Sequence, residues 1–247
     1  MKKTYLYPAL ALVMGVVGYV LRRWQLRTDF DELNLPLPGL YTWLLIGLTI
    51  GCFVSFALLT LLLYPKRDWA GTMGTAPLPV LKGVSVLCLL SAAAFVLEQR
   101  SASVTDAIFQ VAALILPVLM IVGALASAVG LWGLSQGGSP NALYPMLPGF
   151  CSCFWMVNSY HSYANDPVVL HFVWFILAVV VSALAWYELS GLALNQGHSR
   201  RTMYLCLMTI VLSMIALAGG EQISDQVLLG VQVISFLTIS FRLADNP

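Results

Sequence analysis

Charge is what this chain has least of. Lys, Arg, Asp and Glu make up 9% of its 247 residues, against about 25% in a soluble domain. So few charges cannot keep a folded surface in water, which excludes a soluble globular protein. The formal net charge is +1, so no nucleic-acid partner is expected. Ionisable residues are also missing from the middle of every long apolar run. Ion-coupled transporters and proton pumps usually need such a group inside the membrane, so this class is disfavoured.

Several enzyme signatures are absent too. The chain has no H-E-x-x-H, no G-x-S-x-G and no P-loop lysine motif. Its three histidines, His161, His171 and His198, lie at or near expected helix ends, which is wrong for a transmembrane haem. No cofactor is predicted. The five cysteines, Cys52, Cys88, Cys151, Cys153 and Cys206, all fall inside apolar runs and read as buried free thiols. Cys151-Ser-Cys153 is not a C-x-x-C redox or zinc spacing.

What is present is apolar sequence, 60% of the chain. It comes in runs near the ~20 residues that cross roughly 30 Å of hydrocarbon. A transmembrane β-barrel would show ~10-residue segments of alternating polarity, and none occurs. The expected fold is therefore all-α: a polytopic transmembrane helix bundle of about eight spans. They fall at about 4–22, 39–64, 78–97, 106–134, 142–162, 167–194, 201–219 and 223–242. The count is seven if 142–162, with Pro145 and Pro148 near its start, does not cross. The first apolar stretch follows Lys2 and Lys3 but runs into Arg22 and Arg23 without a small-residue cleavage site. It reads as an uncleaved span rather than a signal peptide.

Basic residues set the expected direction. With the N-terminus inside, Lys2, Lys3, Lys66, Arg67, Lys82, Arg200, Arg201 and Arg242 are cytoplasmic, and Arg22, Arg23, Arg27 and Arg100 lie outside. Trp24, Trp43, Tyr64, Trp69, Trp186 and Tyr187, all near helix ends, read as interfacial anchors. Glu188 sits near the cytoplasmic end of its span, where it can snorkel.

The chain reads as a single transmembrane domain, 1–247. A weak echo suggests a 4+4 repeat, 1–135 and 136–247: Glu98-Gln99 and Glu221-Gln222 each end a span ahead of an Asp. Small residues form smooth stripes for close helix approach at Gly47, Gly51 and Ser55 and again at Gly123 and Ser127. They suit packing within the bundle or, alternatively, a homodimer seam. Gln232 is the main midplane polar side chain beyond hydroxyls and thiols.

The turn SYHSYANDPVVLHF carries the densest polar chemistry. Asp166 and Pro167 fit a helix start. His161 and His171 fall near one edge of the bundle, where with Asp166 or Glu221 they are candidate metal ligands. The same edge, lined by His161, Asn165, His171, Glu98 and Glu221, is the candidate mouth of a ligand site.

The segment HSYANDPVVLHFVWFILAVVVSALAWYELSGLALNQGHSRRTMYLCLM resembles a pattern in uncharacterised polytopic membrane proteins of anaerobic Gram-positive bacteria. There an N/D-Pro turn opens a helix, an aromatic-rich end follows, and a short Arg-Arg loop leads to the next span. The resemblance covers about residues 158–210. It implies a bacterial cytoplasmic membrane, with both termini cytoplasmic on the charge count, and no mechanism. The function expected is binding of a lipid-like ligand or a partner subunit between the helices. The alternatives are an uncoupled transporter or permease-like subunit, and a membrane-embedded metal-dependent enzyme.

Overall fold

A computed structural model describes residues 6–30, 39–63, 86, 92–93, 107–135, 143–163, 169–194, 196–219 and 223–245. Among these residues lie seven long helices: α1 (Leu6–Thr28), α2 (Leu40–Leu63), α3 (Ala107–Ser135), α4 (Leu143–Tyr163), α5 (Val169–Ala193), α6 (Ser199–Leu217) and α7 (Ile223–Asp245). Five hold segments long and apolar enough to cross a membrane: Leu6–Thr28, Leu40–Leu62, Phe172–Ala193, Ser199–Leu217 and Ile223–Ala244. The protein is an all-α, multi-pass membrane helix bundle. Of the span expected at about 78–97, only Val86, Ala92 and Ala93 are described. The segment expected at 142–162 is one continuous helix, α4, packed between α3 and α5.

The bundle is organised around α6. Every residue from Cys206 to Ser213 is buried, more than two turns of helix and therefore every direction around its axis. A helix without a polar or lipid-facing stripe belongs at the centre of its bundle. α1, α2, α5 and α7 all pack against it.

Glycine sets the closeness of the α1–α6 contact. A Cβ on Gly18 would stand 2.6 Å from Ile215 Cγ1, and one on Gly15 would stand 3.0 Å from Met214 Cβ. Contacts advance along both helices together, so α1 and α6 run parallel. α3 and α4 use the same device in antiparallel sense. Gly123 faces Cys151, and Gly130 faces the ring of Tyr144. Cys151 Sγ also donates to the Leu119 carbonyl at 2.9 Å.

Two expectations need correction. α1 does not end near residue 22 but continues to Thr28, so Arg22 belongs to a helix rather than a loop. Trp186 is not an interfacial anchor: it is 5% exposed. It stands edge-on to Tyr144 at 6.0 Å and tilted against Phe236 at 4.7 Å. Trp24, Trp43 and Tyr187 are exposed, while Tyr64 and Trp69 lie outside the described residues.

Replacing Gly18 by Val should force Ile215 to move and destabilise the bundle by about 1–3 kcal/mol, the usual cost of overpacking. Gly47→Val is the control. No described atom comes within 4 Å of a Cβ there, and its expected effect is within about 0.5 kcal/mol. Thermal unfolding of both variants in detergent measures the contrast.

Candidate functional site

In hydrocarbon each buried polar group must find a partner inside the protein. Near the α1–α2 junction this produces a connected cluster. Arg22, 1% exposed, donates to Gln25 Oε1 at 2.6 Å. Gln25 Nε2 donates to Thr42 Oγ1 at 2.8 Å. Thr42 in turn donates to Asp29 Oδ2 from both its backbone nitrogen, at 2.8 Å, and its hydroxyl, at 2.9 Å. Asp29 therefore caps the first turn of α2 from the far end of α1, where the helix dipole favours an anion. Gly39 makes this possible, since a Cβ there would overlap the Asp29 carboxylate. Arg22 also lies beside Gly219, just past the C-terminus of α6, where a cation is favoured. The sequence reading places Arg22, Gln25 and Asp29 in a loop. The signal it offered was the spacing of Arg22, Gln25 and Asp29, three and four residues apart and so on one helix face.

A second polar group ties α7 to α4 and α5. Trp155 Nε1 donates to Asp225 Oδ1 at 3.2 Å, and Asp225 occupies the first turn of α7. Gln232 Nε2 donates to Ser182 Oγ at 3.2 Å. Gln232 Oε1 is buried without a hydrogen-bond partner. It borders a cavity of about 80 Å³ whose wall includes Gly123, Ser127, Ser152 and Trp155. That volume suits a few water molecules. The buried ionisable groups among the described residues, Arg22, Asp29, Asp225 and Arg242, all stand near helix ends.

A larger opening lies elsewhere. A groove of about 600 Å³ runs between the first half of α4 and the last half of α5 and closes at the α5–α6 turn. Its apolar wall includes Met146, Phe150, Ala183 and Leu194. Tyr187, Glu188, Gln196, His198 and Arg201 supply its polar groups. Gly197 builds the closed end. Its nitrogen donates to the Gly191 carbonyl at 2.8 Å, and a Cβ there would collide with the backbone of Leu192. The chain then enters α6 through His198, whose side chain makes no capping hydrogen bond. The positive end of the α6 dipole thus forms part of the groove wall.

The groove and the predicted mouth are at opposite ends of the bundle. α4 begins at the groove and runs to His161, and α5 starts near His171 and returns to it. His161 and His171 fall on the facing ends of α4 and α5, and Glu98, Asn165, Asp166 and Glu221 lie outside the described residues. Among the described residues no group of three His, Cys, Asp or Glu side chains is placed to hold a metal ion. Of the small-residue stripes, Gly123 lies against Cys151 with Ser127 buried nearby, whereas Gly47, Gly51 and Ser55 face away from the described helices. In the sequence Glu188 reads only as a snorkelling residue, Tyr187 as an interfacial anchor and Arg201 as a topology signal.

The bundle and its apolar spans define a multi-pass integral membrane protein. No known family model matches the sequence, and no curated protein or solved structure is similar to it.

Asp29→Ala should cost about 1–2 kcal/mol, because it removes the α2 cap and leaves Thr42 without its acceptor. The readout is the thermal midpoint in detergent. An unchanged midpoint would mean that the cluster does not hold α1 to α2.

Proposed function

We propose that this protein binds a lipid-like amphiphile between α4 and α5, without catalysing a reaction on it. The observation that carries the proposal is the groove itself. Its volume, about 600 Å³, falls within the ~300–1,000 Å³ typical of small-molecule sites. One part is apolar and open at the surface, lined by Phe150, 53% exposed, and Ala183. The other end holds Glu188, His198 and Arg201. A ligand with an aliphatic portion and a polar head matches that division. In the orientation expected from the basic residues, the groove opens towards the cytoplasmic leaflet of a bacterial membrane. The mouth expected near His161 and His171 would then serve the opposite leaflet or a partner subunit.

The test is native mass spectrometry of protein released from nanodiscs that contain mixed phospholipids. A retained lipid is expected on the native chain. Ala183→Phe, which fills the apolar wall, should reduce its occupancy at least about tenfold, equivalent to roughly 1.4 kcal/mol. Equal occupancy in the native and Ala183→Phe proteins would reject the groove as the site.

A further inference from the structure

The polar residues of the groove carry a more specific message. Everywhere else in the bundle the described charged side chains that are buried have protein partners: Arg22 in its cluster, Asp29 on Thr42, Asp225 on Trp155, and Arg242 among the residues with a bonded or electrostatic neighbour. In the groove, Glu188, half-buried, and Arg201, exposed, line one space, and among the described residues no ion pair or hydrogen bond joins them. The two opposite charges are separated rather than paired. Each is available to a different part of one ligand.

We infer that the groove takes a zwitterionic amphiphile whose head carries a phosphate and a primary amine. This rests on the amphiphile reading above and names its ligand class. The phosphate belongs at Arg201 beside the positive end of α6, where a guanidinium offers several N–H donors to phosphate oxygens. The ammonium belongs at Glu188. A carboxylate is an acceptor only, and a primary ammonium brings three donors, whereas a quaternary ammonium brings none. The aliphatic chain then follows Phe150 and Ala183 into the membrane. A purely anionic head would still place its phosphate at Arg201 but would bring no positive charge to Glu188. A head with no amine would offer Glu188 at most neutral hydroxyl donors, whose hydrogen bonds are weaker than those from an ammonium.

The experiment is competition in nanodiscs holding equal amounts of phosphatidylethanolamine, phosphatidylcholine and phosphatidylglycerol with the same chains, read by native mass spectrometry. The native protein should retain phosphatidylethanolamine over each of the others by about tenfold, the worth of a hydrogen bond to a charged group. Glu188→Gln should erase that preference, and Glu188→Lys should turn it towards phosphatidylglycerol. Arg201→Gln should lower retention of all three. A native preference for phosphatidylglycerol, or a phosphatidylethanolamine preference unchanged in both Glu188 variants, would overturn the headgroup assignment and leave amphiphile binding intact. Retention that is indifferent to Ala183→Phe as well would overturn the amphiphile reading itself.

Discussion

The rest of the bundle depends on one constraint: α6 has no face for lipid. Its residues from Cys206 to Ser213 are covered on every side, and that cover has to come from other helices. Lipid tails are as apolar as these side chains, so the hydrophobic effect does not hold the helices together in a membrane; close packing does. This explains why the α1 contact falls on Gly15 and Gly18. Small residues let two backbones approach, and the gain is dispersion over many atoms rather than removal of water. The same logic explains the antiparallel match of Gly123 with Cys151 and Gly130 with Tyr144, which brings α4 onto α3 and leaves its other side for α5.

Polar groups then decide where the bundle is rigid. Hydroxyls inside the helices return to the carbonyl one turn back, as Thr49 does to Leu45, Ser127 to Gly123 and Ser152 to Pro148. These bonds satisfy a donor locally and bind no second helix. Between helices the bonds are few and placed near ends: Gln25 to Thr42, Thr42 to Asp29, Trp155 to Asp225. Gln232 with Ser182 and Cys151 with the Leu119 carbonyl instead lie within the span. Helix ends are where backbone groups lack partners, so a side chain there can satisfy an orphan and a neighbour at once.

The hydropathy of the chain was enough to reveal the class of fold and the approximate position of most helices, because a membrane span is written as a long uninterrupted apolar run. Gln232 was visible for the same reason, as a polar residue in the middle of one. Burial was not visible. Arg22 and Trp24 are two residues apart and both near a helix end, yet Arg22 is covered by α6 and Trp24 is exposed. Trp186 and Tyr187 are adjacent and read alike in sequence, but about 100° of helix rotation sends one into the core and the other to the groove. Rotation of a helix about its axis is set by its neighbours, and an all-apolar helix carries no amphipathic stripe from which to read it. The groove was hidden by the same limit. Its residues come from three helices and a turn, and no single stretch contains its pattern.

The proposed headgroup assignment rests on two opposite charges that line one groove without a bond between them. A bundle that places Asp29 within reach of three hydrogen bonds is not short of means to satisfy a carboxylate. Glu188 and Arg201 nevertheless line one groove without meeting. Under the proposed reading, a pair between them would leave neither charge for a headgroup. Keeping them apart requires a fixed spacer, and the turn at Gly197 is one: its bond to the Gly191 carbonyl and its contact with Leu192 set how far the start of α6 stands from the end of α5. Arg201 is carried by α6 and Glu188 by α5, so that turn also sets the distance between the two charges. The most buried helix of the bundle thus supplies the cationic end of the groove, and the packing that immobilises α6 is what gives the site a defined width.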